Sequence, residues 1–96
     1  MTEIIPTKAR ELIREHLKAK PPQRWQDPDL IRDYVEDMRR GEWIGASDDI
    51  VIAGPNGWTS NGTYFPPGTI LDGWHRLNAV ARSGVAIHAE LKEGWA

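Results

Sequence analysis

The chain has 96 residues, 40% hydrophobic and 27% charged, with a net charge of −2, which is the size of one soluble domain with no room for a second core. It contains no cysteine, so disulfides, thiolate metal sites and thiol chemistry are excluded. Its apolar runs are too short for a membrane-spanning helix, and no domain-wide basic excess of the kind a duplex-DNA reader carries is present. Met1 to Pro6 lacks the basic and apolar segments of a secretory signal, so a cytoplasmic protein with no membrane partner is expected. A domain this small is marginally stable alone, which makes a host protein or a second copy of the chain a natural source of added stability.

The first predicted element is a helix within residues 1–20. Ala9, Leu12, Ile13 and Leu17 recur at helical spacing from Thr7 to Ala19, with His16 beside them. Thr7 is the expected N-cap, and Pro21-Pro22 stops the helix near Lys20. Thr7 to Lys20 holds five basic residues against two acidic ones, a surplus that reads first as a solvated face. Pro21 to Gln26 is a stiff connector carrying Trp25. A second helix follows with clear borders: Asp27 to cap, Pro28 at the first turn, Asp29 against the dipole, and Gly41 to end it. Leu30, Ile31, Tyr34, Val35 and Met38 form its apolar stripe.

After Gly41 the pattern changes. Ile50-Val51-Ile52-Ala53 is a bulky apolar run fit for a buried strand, preceded by Asp48-Asp49, which read as turn and strand-edge residues ahead of a metal or ribose role. Residues 54–69 are dense in turn chemistry around Trp58, Tyr64 and Phe65. They form either a hairpin with wide turns or an ordered loop. Their aromatics either stack on a base, bind a protein or build a small satellite core. Ile70-Leu71 ends the next strand, and Asp72 or Gly73 starts a third helix with Leu77, Val80 and Ala81 inward, closed by Ser83-Gly84. Val85 to Leu91 then alternates, with Val85, Ile87, Ala89 and Leu91 facing in and Ala86, His88 and Glu90 facing out. The three histidines, His16, His75 and His88, show no ligand-type spacing, so no metal site is expected.

The strand-to-helix turn Asp72-Gly73-Trp74-His75-Arg76 is the candidate site. A helix N-terminus presents unpaired N–H groups and about half a unit of positive charge. Gly73 lets the backbone approach an anion closely, and His75 and Arg76 add donors, Arg76 with a fork suited to phosphate. Basic residues in a first turn work against the dipole, so they point to an anion or to a carboxylate partner. A purely structural reading stands beside this one: Asp72 caps, Trp74 fills the core, and Arg76 pairs with Asp72 or Glu90.

Asp37-Met38-Arg39-Arg40-Gly41-Glu42-Trp43, Ile70-Leu71-Asp72-Gly73-Trp74-His75-Arg76-Leu77 and Ala81-Arg82-Ser83-Gly84-Val85 resemble, in order and spacing, the small ParB/sulfiredoxin-type domain as it occurs in short phage and plasmid proteins. The resemblance covers residues 21–91, about three-quarters of the chain, and departs from the pattern at residues 54–69, where a tight turn is expected. It implies a single small α+β domain over residues 1–96, with helices packed on a short mixed sheet and a cleft for a nucleotide or phosphate. In sulfiredoxins the matching turn carries the reactive cysteine. Trp74 stands in that place, so sulfinic acid reduction by that route is excluded. In free-serine kinases of this fold an Asp-Gly-His-Thr-Arg turn serves phosphoryl transfer; Asp72 and Gly73 match its start, with the histidine and arginine displaced by one. ParB proteins bind CTP through this fold but also carry DNA-binding and dimerisation domains outside the matched region.

The leading expectation is therefore binding of a ribonucleotide, with Mg²⁺, in preference to turnover. The Gly73 and Trp74 amides and Arg76 hold phosphate, His75 donates or relays a proton, and Asp72 orients a metal-bound water or the helix itself. Asp72 and His75 are thus the candidate catalytic residues, and Gly73, Trp74, His75 and Arg76 the candidate binding residues. The competing expectation is a catalytically inactive module that binds a host protein through the aromatic loop at residues 58–65. Weak nucleic-acid binding by the first helix, which the net charge does not support, ranks third.

Overall fold

The computed structural model describes residues 2–22, 26–43 and 49–94. A short strand, β1 (Thr2–Ile4), precedes helix α1 (Pro6–Ala19). Three residues are too few for a strand period to show in sequence, and β1 forms because a tertiary partner satisfies its backbone. Thr7 is not the cap of α1: Ile5 is the N-cap in extended conformation, with no side-chain hydrogen bond, and Pro6 takes the first position. Proline's fixed φ and missing N–H suit that place and shift the start by one residue. The helix closes on Lys20, whose φ of 49° is left-handed.

Helix α2 (Pro28–Arg39) begins as its sequence dictates. Asp27 accepts from the Asp29 and Leu30 amides at 3.1 and 3.2 Å, and Pro28 opens the first turn. Gly41 follows the helix at φ 72°. Ile31, Val35 and Met38 are buried from this helix.

The strands β2 (Ile50–Ile52), β3 (Trp58–Ser60), β4 (Thr63–Phe65) and β5 (Ile70–Asp72) lead into helix α3 (Trp74–Ser83), and β6 (Ile87–Ala89) and β7 (Leu91–Glu93) complete the chain. β2 is central in a three-stranded mixed sheet, antiparallel to β5 and parallel to β7. β1 pairs antiparallel with β6. The expected single strand from Val85 to Leu91 is thus two short ones. Glu90 lies between them, and its carbonyl accepts the Ile50 amide at 2.8 Å. His88 and Glu90 are exposed and Ile87 and Ala89 buried, in line with the alternation; Ala86, expected to face out, is half-buried.

The unbroken apolar run of β2 has a physical reason: both of its faces are covered. Ile50, Ile52 and Ile70 join the large core under the helices, while Val51, Ala53 and Leu71 join a second cluster with Trp58 and Phe65. Residues 54–69 therefore contain a hairpin, β3–β4, closed by a tight two-residue turn and not a wide one. Asn61 and Gly62 both have positive φ, at 50° and 79°, which matches the twist of a short hairpin. Of its aromatics, Trp58 and Phe65 build the satellite core and Tyr64 stays 53% exposed.

α3 packs against both α1 and α2. Leu77, Ala79 and Val80 are buried on it; Ala79 is an addition to the expected inner face and Ala81 is half-buried. Leu77 is fully enclosed, and a leucine so placed contributes roughly 1.5–3 kcal/mol. The architecture is one α+β domain, and none of its described helices is long and apolar enough to cross a membrane.

Candidate functional site

β5 delivers the chain to the candidate turn. Asp72 is its last residue, and Gly73 then bends into α3 with φ 102° and ψ 9°, a conformation open to glycine and strained for other residues. Close packing adds to the demand, because a β-carbon at Gly73 would stand 2.9 Å from Ile50 Cγ1. Gly73, as the N-cap, has no side chain to bond the first turn, no other described side chain is seen capping α3, and that turn holds no acidic residue. The first intrahelical bond runs from the Leu77 amide to the Gly73 carbonyl at 2.9 Å. The Trp74 and His75 amides have no partner among the described residues.

The turn that carries them lines a cleft of about 520 Å³ between the end of α1, the Pro21-Pro22 connector and the β5–α3 turn. Gly73, Trp74 and His75 line it, with Asp72 beside them. So do two residues that sequence reasoning left outside the site, His16 and Lys20. His16 accepts the Ile70 amide on Nδ1 at 2.9 Å, closing part of the outer edge of β5, and its ring stands 4.6 Å from that of Trp74 at 39°. A polar residue beside the apolar stripe of α1 was the only sequence signal for it. Lys20 contributes a cation, from a residue held in the left-handed region at a cost of roughly 1–2 kcal/mol.

His75 is placed in the cleft wall, but its Nε2 already accepts the Asp27 amide at 3.1 Å. That nitrogen ties the start of α3 to the cap of α2. The expected proton relay therefore has no support at Nε2. Trp74 forms a wall, with its indole Nε1 buried and without a hydrogen-bond partner among the described residues.

Arg76 is the principal departure. It does not line the cleft. Its Nη2 donates to the Asp49 carbonyl at 2.9 Å and lies 4.0 Å from Asp72 Oδ1, with its side chain only 12% exposed. Helix geometry explains this: successive side chains turn by about 100°, so Trp74, His75 and Arg76 cannot all face one ligand. With Trp74 and His75 on the cleft, Arg76 faces the start of β2. Asp49, whose carboxylate pairs with Lys92 at 3.0 Å, is a strand-edge residue as expected. Asp48, Trp25 and Trp95 lie outside the described residues.

Among the described residues no group of three or more histidines or carboxylates is arranged to hold a metal. Among the described residues Asp72 is the one carboxylate lining the cleft, so a Mg²⁺ ion there would be held mainly by a ligand's own phosphates. Comparison of the chain with protein-family models, with curated proteins and with solved structures finds no match.

Proposed function

We propose that the protein is a small ligand-binding domain of the ParB/sulfiredoxin-like kind, of phage or mobile-element type, taking a nucleotide or related phosphorylated molecule at the β5–α3 turn. The observation that carries this reading is the start of α3, where the Trp74 and His75 amides have no partner among the described residues and both residues line the cleft. Lys20 supplies the positive charge expected of Arg76. Leu17, Pro21 and Trp74 give the apolar wall against which a base or other flat body rests. The volume falls in the range of roughly 300–1,000 Å³ usual for small-ligand sites. Binding is favoured over turnover because a catalytic set needs a nucleophile or base beside its stabilisers, and each cleft histidine already has one ring nitrogen occupied by a backbone amide.

The hairpin reading has less to stand on, since Trp58 and Phe65 are spent on the satellite core and only Tyr64 remains as an exposed aromatic anchor.

Thermal denaturation with a panel of ribonucleotides and Mg²⁺ tests the proposal. At a hundredfold excess over Kd, binding adds about 2.7 kcal/mol, a rise in Tm of roughly 10 °C or more for a domain of this size. Lys20→Gly separates binding from folding. It removes the cation while suiting φ 49°, so Tm of the free protein is expected to hold or rise while affinity falls several-fold. A panel without a single Tm shift refutes the reading.

A further inference from the structure

Two histidines from different helices line the same cleft, and each accepts a hydrogen bond from a distant backbone amide. His16 on α1 accepts the Ile70 amide of β5 on Nδ1 at 2.9 Å, across 54 residues of chain. His75 on α3 accepts the Asp27 amide, at the start of α2, on Nε2 at 3.1 Å, across 48 residues. A backbone amide can only donate, so the ring nitrogen facing it must carry a lone pair. Neutral imidazole has one such nitrogen and imidazolium has none. We propose that His16 and His75 are a paired proton-sensitive latch, which holds the cleft walls together while both rings are neutral and releases them on acidification. Protonation sets N–H against N–H at both junctions. The end of α1, with Lys20 and the Pro21-Pro22 connector, then parts from β5, and the start of α3 parts from the cap of α2.

The surrounding charges act in the same direction. Among the described residues, the other charged groups lining the cleft are Lys20 from the end of α1 and Asp72 from β5. Two imidazolium rings with Lys20 would make three cations there against the single Asp72 carboxylate, and like charges repel. The carboxylates on the adjoining elements are engaged elsewhere. Glu15, beside His16 on α1, pairs with Lys18 at 3.6 Å. The Asp27 carboxylate accepts the Asp29 and Leu30 amides, and Asp29 pairs with Arg32 at 3.5 Å. Arg76, next to His75 on α3, is held at the Asp49 carbonyl. The fold uses the neutral rings, so their contribution is complete above the histidine range and is lost as pH falls through it, between about pH 8 and 5. His88, exposed on β6, lies outside the cleft and is the internal reference for a histidine without this role.

An NMR titration of the intact, ligand-free chain from pH 8 to 5 tests this, following the three histidine rings and the backbone amides, with Tm measured over the same range. His16→Asn and His75→Gln are run in parallel. Their side-chain oxygens stand close to Nδ1 and Nε2 respectively and accept a hydrogen bond without taking up a proton. In the wild type the Ile70 and Asp27 amide signals should move in step with the rings that hold them, while the neighbours of His88 do not respond beyond its own strand. Tm should fall by roughly 5–15 °C between pH 7.5 and 5.5, the scale of two hydrogen bonds in a domain of this size. The fall should be about half as large in either variant and nearly absent in the double variant. Rings that titrate while the Ile70 and Asp27 amides stay in place overturn the proposal, as do rings that remain neutral throughout, or a response at one amide alone. A fall in Tm that persists in a folded double variant assigns the acid sensitivity to other groups and likewise overturns it. Should a variant fail to fold at pH 8, the amide signals of the wild type decide the question alone.

Discussion

Two helix starts lie side by side in this molecule and are built in opposite ways. α2 opens with Asp27 bonding two amides, Pro28 at the first turn and Asp29 favourable to the dipole. α3 opens with a left-handed glycine, no side-chain cap among the described residues and two basic-type residues, His75 and Arg76, in its first turn. The first is a finished structural terminus. The second leaves the Trp74 and His75 amides without a partner among the described residues, beside a cleft, and its neighbours show how that is tolerated. Arg76 is drawn to the Asp49 carbonyl and away from the dipole, and His75 faces the Asp27 amide as an acceptor. The contrast teaches that a local violation of capping rules survives when tertiary partners absorb its cost.

The largest effect is expected at the glycine that makes the α3 start. Gly73→Ala places a β-carbon 2.9 Å from Ile50 Cγ1 in a backbone at φ 102°, so strain and overpacking together should cost about 2–4 kcal/mol in urea denaturation. A loss below 1 kcal/mol would mean that α3 has a freer start than the geometry shows. Next comes Arg76→Met, which keeps bulk but removes the bond to Asp49. A loss of about 2 kcal/mol is expected, with the phosphate affinity of the folded protein largely retained. If affinity collapses while stability holds, Arg76 is a phosphate ligand after all. The smallest is Asp27→Ala, expected to cost about 1 kcal/mol by freeing the Asp29 and Leu30 amides. A much greater loss would show that the Asp27–His75 junction, and not the cap alone, secures α2 to α3.

Much of the fold was legible because it depends on local rules. Asp27, Pro28 and Gly41 delimit α2 through backbone chemistry that needs no neighbour. Pro21-Pro22 ends α1, Ser83-Gly84 ends α3, and Ile50 to Ala53 announce a buried strand. β1 was not legible, since three residues carry no period, and neither was the break at Glu90, which arises where pairing passes from β1 to β2. In the site, the turn itself was visible from Asp72-Gly73, and Gly73, Trp74 and His75 do reach the cleft together. His16 and Lys20 were missed because they lie more than fifty residues away along the chain and only folding brings them there.

What the sequence determined alone was the position of the turn and its conformational need for glycine, because φ preferences and helix termini are properties of a few consecutive residues. Which way each side chain faces was decided by tertiary structure. The 100° step between residues sends Arg76 toward β2 once Trp74 packs on His16, so the cation beside the cleft is supplied by Lys20 from another helix. Direction in a helix is fixed by what the helix packs against, and that information is spread over the whole chain.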